Sequence, residues 1–397
     1  MKGIINPIVT TSQTDAQTQM ITCINCSQPY PTQGVPYHCP NCGGLYDYAT
    51  PLIYDPAQVD RQQPGIWRYR HSFGLPADTP AISLGEGDTP LVWIEAFGAP
   101  VAVKGEYQNP TGSFKDRGSA VIAAFLRQRQ ATHAVEDSSG NAGASFAAYA
   151  ARASIHARLF VPDSASGPKR MQIEAYGAEV VRVMGPRSNA ARAVQRAVEP
   201  QVGSQEESPA PVYASHAYLP FNLAGYATAA YELAAQLGEA PGSLVAPVGQ
   251  GGFLLGLARG FEALIAAGII TRMPRLVGVQ ARACAPLWAL FTFGRDGLSW
   301  TAEAPTLAEG IRVLQPVRGD ALLNLLAKYQ GLLVAVDEEE ILPGRDALAR
   351  RGFFVEPTSA VVWGALAQHA SRLPEPIVVM LTGAGLKAPD SRNPIVS

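Results

Sequence analysis

From Ala81 onward, short runs of β-branched and other apolar residues alternate with longer Ala-rich stretches, and no other feature constrains the fold as strongly. Pro100–Lys104, His133–Glu136, Ala157–Val161, Glu179–Val183, Leu244–Pro247, Leu276–Gln280, Leu332–Val336 and Ile377–Leu381 read as strands. Gly118–Arg129, Ala142–Arg152, Lys169–Tyr176, about Asn189–Val198 and Phe253–Ala267 read as helices. Asp337 can cap a further helix through its carboxylate, with Glu338–Glu340 near the positive end of its dipole. A Pro/Ser/Glu loop is expected at Gly203–Pro211. Parallel strands need crossover connections, so the alternation predicts an α/β architecture with a largely parallel sheet.

Ahead of this body the organisation differs. Residues 1–20 include the Thr/Gln-rich stretch Thr10–Gln19 and read as a disordered tail; no apolar core flanked by basic residues suggests a secretory signal. Residues 21–48 hold four of the five cysteines, and residues from about 49 to 80 are rich in Pro, Gln and Arg, as a linker lying against the main body would be. A chain of 397 residues allows two or three units and can bury a substantial core without disulfides. Lys+Arg is 31 against Asp+Glu 33, which favours neither a nucleic-acid nor a membrane-surface partner. Apolar stretches such as Phe261–Ile270 are too short to cross a bilayer, so a cytoplasmic protein is expected.

Cys23-x-x-Cys26 and Cys39-x-x-Cys42 can place four thiolates at the corners of a tetrahedron, which suits a structural Zn²⁺. Gly43 and Gly44 supply permissive backbone for a knuckle turn. Two disulfides are the alternative, and they would require an oxidising compartment. The segment has no Lys/Arg run, so a structural role is preferred over nucleic-acid binding. Cys284 sits in an apolar stretch and reads as a small core residue.

The most informative segment is Asn109-Pro-Thr-Gly-Ser-Phe-Lys115-Asp-Arg-Gly118. Its turn signal delivers Lys115 to a helix entrance, where the dipole disfavours a charged amine and so favours a nucleophilic one. Most lysines are simply solvated, so the residues alone leave that reading open. Three other turns follow strands. Ser138-Ser139-Gly140-Asn141 opens a helix and can cradle an anion, or merely cap. Gly249-Gln250-Gly251-Gly252-Phe253 lets backbone approach a phosphate, or is a tight turn. Thr382-Gly-Ala-Gly385-Leu-Lys387 follows the final strand.

Asn109–Gly118 and Ser83–Leu91, with Gly65–Arg70 and the cysteine segment, resemble the threonine synthases. More broadly they resemble the fold type II pyridoxal 5′-phosphate (PLP) enzymes, which include serine/threonine ammonia-lyases and cysteine synthases. The resemblance runs from about Cys23 to Lys387. It implies a two-lobed, tryptophan synthase β-like α/β fold preceded by a zinc-ribbon-like segment. Residues 49–112 and 218–397 would form the large PLP-binding lobe, and 113–217 the small lobe. Lys115 would carry PLP as an imine and, once freed, abstract the substrate Cα proton. Asn141 would face the cofactor's phenolic oxygen, Gly249–Phe253 its phosphate and Thr382 its pyridine nitrogen. Ser138, Ser139 and Gly140 would hold the carboxylate of a small amino acid. A homodimer is also implied.

The implied reaction releases phosphate from O-phosphohomoserine and adds water at Cβ. Here the chain departs from the family: Asn222 stands where an arginine is expected and Ala227 where a lysine is, which removes two charge-assisted phosphate contacts. Lys169, Arg170 or Arg187 could compensate. Gln250–Gly252 and Ala308-Glu309-Gly310-Ile311 instead resemble ammonia-lyases. Serine/threonine ammonia-lyase is therefore the alternative activity, and a zinc-ribbon adaptor on a decayed enzyme body the non-enzymatic one. His216 could touch substrate or be structural; Glu309 and Glu356 could be site carboxylates or helix caps.

Overall fold

The computed structural model describes residues 20–138, 140–163, 167–185, 187–199 and 210–388. The expected tail, apart from Met20, lies outside the described residues, as do Ser139 and residues 203–209 of the expected loop.

Two short strands, β1 (Ile21–Cys23) and β2 (Tyr46–Tyr48), form an antiparallel ribbon. A six-stranded sheet follows. It contains β3 (Leu91–Ala96), β4 (Ala99–Lys104), β9 (Ser243–Pro247), β10 (Arg275–Ala281), β11 (Leu332–Val336) and β12 (Ile377–Met380), ordered β11-β10-β9-β12-β4-β3. A four-stranded sheet contains β5 (His133–Glu136), β6 (His156–Pro162), β7 (Glu179–Val183) and β8 (Val212–Tyr213), ordered β7-β6-β5-β8. Every pairing in both sheets is parallel except β3 with β4. The eight expected strands are all present within two residues at either end.

Helices cover the sheets: α1 (Lys115–Gln128), α2 (Asn141–Arg152), α3 (Gly167–Ala175), α4 (Arg187–Val198), α5 (Phe221–Leu237), α6 (Gly252–Ala266), α7 (Pro286–Phe293), α8 (Gly319–Lys328), α9 (Glu338–Ala349) and α10 (Pro357–His369). Asp337 forms a capping box with Glu340 at the start of α9, as its position predicts. α1 begins at Lys115, three residues before its expected start, and the Asp116 carboxylate ties the preceding turn to it, accepting from Thr111 N at 2.7 Å and Thr111 Oγ1 at 2.6 Å. The sequence does not predict α5, α7, α8 or α10. α5 and α10 are buried on nearly all faces, so their residues carry no 3.6-residue amphipathic period.

α5 packs closely on α1 and α6. A Cβ at Gly225 would lie 2.1 Å from Arg117 O, and one at Gly260 would lie 2.6 Å from Ala227 O. Across this contact runs a fully buried ionic network. Arg117 donates to Glu106 and Glu232 at 2.7 Å, and Lys104 Nζ donates to Glu232 Oε2 at 2.7 Å. Burial opposes ionisation of Glu232, but the Arg117 and Lys104 charges outweigh it and hold the carboxyl well below its ordinary range.

The ribbon docks on the body. Asp47 accepts from Arg259 of α6 at 2.6 and 2.8 Å, Arg318 donates to Tyr46 O at 3.0 Å, and Tyr30 meets Phe125 and Phe221 edge-on. Cys284 is a buried free thiol, in keeping with a core role.

Candidate active site

In parallel sheets ligands sit beyond the carboxyl ends of strands. Three turns leave such ends and converge: 137–140 after β5, 248–251 after β9 and 381–384 after β12. Lys115, the first residue of α1, joins them because its segment is stitched to the last turn. Phe114 N donates to Thr382 O at 3.1 Å, and Ala384 N donates to Gly112 O at 2.9 Å. The result is a cleft of about 230 Å³.

All the described residues expected at the site line that cleft: Lys115, Ser138, Gly140, Asn141, Gly249–Phe253 and Thr382. Ser139 lies outside the described residues. Lys115 Nζ is 4.7 Å from the Phe114 ring centre and 5.8 Å from that of Tyr226, so aromatic faces flank the amine. Gly251 has φ +83°, a left-handed turn that opens α6 with no side chain capping its first amides. A Cβ at Gly249 would lie 3.0 Å from Ile311 Cα. Gln250 lines the cleft, and its Oε1 accepts from Val317 N at 2.9 Å, tethering the turn to the segment before α8. Thr382 Oγ1 lies 3.0 Å from Ser359 Oγ, near the start of α10.

Glu356 precedes α10 and lines the cleft, but it makes no capping bond, nor does Glu309. Glu356 Oε1 accepts from Asn141 Nδ2 at 2.7 Å, while Oε2 sits 3.2 Å from Lys169 Nζ. Burial works against the Lys169 charge, but the Glu356 and Glu309 carboxylates prevail and raise its pKa. Sequence reasoning had no signal for the Asn141–Glu356 contact, and it also missed the lining residues Arg312 and Glu303.

Other expectations fall elsewhere. His216 is a buried structural residue: Nε2 is 2.9 Å from Ser119 Oγ and Nδ1 is 3.3 Å from Glu136 Oε1. Burial, with Glu136 opposing, lowers its pKa. Asn222 Nδ2 donates to His216 O at 2.7 Å, and Ala227 packs against α6, so neither position faces the cleft.

The pyridoxal-phosphate dependent enzyme family model matches residues 82–383, which takes in the lysine, the first two turns and the third as far as Gly383. The chain belongs to this family.

Among relatives of this PLP family member, the threonine synthase of Methanocaldococcus jannaschii is 31% identical, covering 93% of each chain. That of Methanosarcina acetivorans is 30% identical over 94% of this chain and 93% of its own, and that of Synechocystis 33% over 82% and 83%. Among solved structures, a T.th. threonine deaminase superposes with a TM-score of 0.59 at 30% identity, covering 75% of this chain and 92% of its own. Maize serine racemase superposes at 0.63 with 20% identity, covering 75% and 88%, which speaks to the fold alone. The fold is that of a fold type II PLP enzyme.

The cleft fits the cofactor that the family uses. The glycine turn exposes the uncapped amides of α6, where an anion is stabilised. The buried Asn141 Oδ1 has no partner among the described residues, so the cleft carries unspent hydrogen-bonding capacity beside Lys115.

Proposed function

We propose that this PLP enzyme is threonine synthase-like and converts O-phosphohomoserine and water to threonine and phosphate. The identity to enzymes named threonine synthase, 30% or more over most of both chains, carries this reading. In the net reaction the Cγ–O bond breaks with its electron pair leaving on phosphate, Cβ loses one proton and gains the hydroxyl of water, Cγ gains one proton, and the remaining water proton ends on the released phosphate.

PLP, when bound, supplies the electron sink for charge developing at Cα. Lys115 holds the cofactor, and its amine takes the Cα proton. Asn141 orients the ring through its phenolic oxygen. Gly249–Phe253 would bind the cofactor phosphate, and the Thr382 hydroxyl would meet the pyridine nitrogen, which a neutral hydroxyl cannot hold protonated as a carboxylate would. Ser138, Ser139 and Gly140 bind the substrate carboxylate. Phe114 and Phe253, 4.2 Å apart between ring centres, line the cleft with apolar surface.

One observation favours an ammonia-lyase as the second reading: positions 222 and 227 bring no charge to the cleft. Purified holoenzyme given O-phosphohomoserine, L-serine and L-threonine in parallel separates the two. Phosphate and threonine formation supports the synthase; oxo acid and ammonia from the hydroxy amino acids alone supports the lyase.

Cys23, Cys26, Cys39 and Cys42 are assigned to a structural Zn²⁺. Their sulfurs lie within 4.8 Å of one another, three pairs at 3.4–3.7 Å, near the ~3.8 Å edge that 2.3 Å Zn–S bonds give a tetrahedron. All four thiols are free, which disfavours the disulfide alternative. The docking of the ribbon on α6 and Arg318 makes it part of the enzyme body and argues against an adaptor. Residues 49–112 with 218–397 are read as the large lobe, around the six-stranded sheet, and 113–217 as the small lobe, around the four-stranded one. A cytoplasmic homodimer without nucleic-acid or membrane partners completes the reading; among the described residues no helix is long and apolar enough to cross a membrane.

A further inference from the structure

Among the described residues, three cations line the cleft: Lys115, Lys169 and Arg312. Lys115 is committed to the cofactor. Arg312 is about one-third exposed and faces Glu303 at 3.7 Å. Lys169 differs from both. It is 6% exposed, opens on the cleft, and its ammonium pairs with a carboxylate, Glu356, whose other oxygen is held by Asn141. Glu356 thus bridges the N-termini of α2 and α3 from the N-terminus of α10.

A buried ammonium is costly unless it is paired. Lys169 has three N–H donors, and one carboxylate oxygen at 3.2 Å is a loose partner for them compared with the ~2.7–2.9 Å of a close charged pair. An arriving anion with more oxygens would satisfy the ammonium better.

We propose that Lys169 is the receptor for the anionic leaving group of the substrate, with Glu356 holding its ammonium in the cleft until that anion arrives. The proposal rests on the phosphate-releasing reading. It supplies the charge that Asn222 and Ala227 do not. Arg170 does not line the cleft and faces Glu174 on its own helix at 3.6 Å; the Arg187 side chain lies outside the described residues.

The test uses holoenzyme and inorganic phosphate as the probe, read by the perturbation of cofactor absorbance, with O-phosphohomoserine kinetics alongside. Lys169→Met should weaken phosphate binding and raise KM for O-phosphohomoserine, each by roughly 10- to 100-fold, the worth of a hydrogen bond to a charged group. Lys169→Arg should restore much of the loss. Glu356→Gln should shift phosphate binding the other way, since it removes the competing charge. If Lys169→Met cannot be purified, Lys169→Met/Glu356→Gln leaves no unpaired buried charge and should still bind phosphate weakly. Equal phosphate affinity in wild type and Lys169→Met, or in Glu356→Gln and the double variant, overturns the proposal. Failure of wild type to release phosphate from O-phosphohomoserine overturns the synthase reading instead, and the phosphate titration still decides on Lys169.

Discussion

The Phe114 amide donates to the Thr382 carbonyl at 3.1 Å, so the residue before Lys115 and the hydroxyl residue after β12 share one backbone clamp. The backbone from which the Lys115 side chain springs is therefore fixed relative to the far side of the cleft, whatever that side chain is doing. Replacing Lys115 should change chemistry and leave the scaffold intact.

Lys115→Ala should purify folded but without the yellow colour of bound PLP, and its turnover should fall by at least roughly 10²–10⁴-fold, the usual contribution of a positioned acid–base group. Circular dichroism and the visible spectrum check both parts. A variant as coloured and as active as wild type would remove Lys115 from the site.

Gly383 leaves room for the Asn141–Glu356 hydrogen bond. A Cβ there would lie 2.2 Å from Glu356 Oε1 and 2.9 Å from Asn141 Nδ2. Gly383→Ala should cost about 1–3 kcal/mol by overpacking and should weaken PLP affinity by displacing Asn141. Urea unfolding with and without cofactor measures the two effects; unchanged values in both would count against this contact.

Arg117 neutralises two buried carboxylates, Glu106 and Glu232. Arg117→Met removes the guanidinium they share and leaves Lys104 as the cation bonded to Glu232, and should destabilise the fold by about 3–5 kcal/mol. Denaturant midpoints at neutral pH test it. A loss under about 1 kcal/mol, within the range of an exposed ion pair, would show the network to be dispensable.

The cysteine cluster should hold about one zinc per chain by elemental analysis. Stripping the metal, or Cys39→Ser, should lower the melting temperature by several degrees, because β2 carries Tyr46 and Asp47 to their contacts with Arg318 and Arg259. A chain purified without metal that melts at the same temperature when zinc is added would argue for free thiols.

Burial pushes the Lys387 ammonium down to about 8, with Glu356 and Asp116 opposing the shift. The unfolded lysine titrates near ~10.4, so between these values the unfolded chain holds a proton that the folded chain has released. The penalty is full below about pH 8 and is relieved as pH rises toward about 10. It is worth on the order of 3 kcal/mol at most. Relative to Lys387→Met, wild type should gain stability across that window in urea unfolding. Parallel curves would show that Lys387 does not titrate there.

Much of this is legible in the sequence. The buried parallel strands are unbroken apolar runs closed by turn residues, and the cysteine spacing speaks through local geometry. The lysine motif gave both the start of a helix and the family. α5 and α10 were not legible, because a helix buried all round loses the amphipathic period that marks one. Position 216 held a histidine that sequence left open between substrate and structure; its buried bonds to Ser119 and Glu136 make it structural.

The sequence by itself determined the α/β class, the order of the strands along the chain and the residues that deserved attention, since these depend on neighbours within a turn or two. Only the tertiary structure decided which of them meet. Asn141 and Lys169 reach the same carboxylate at 356 because the parallel sheets bring distant strand ends to one edge, and no local pattern encodes that convergence.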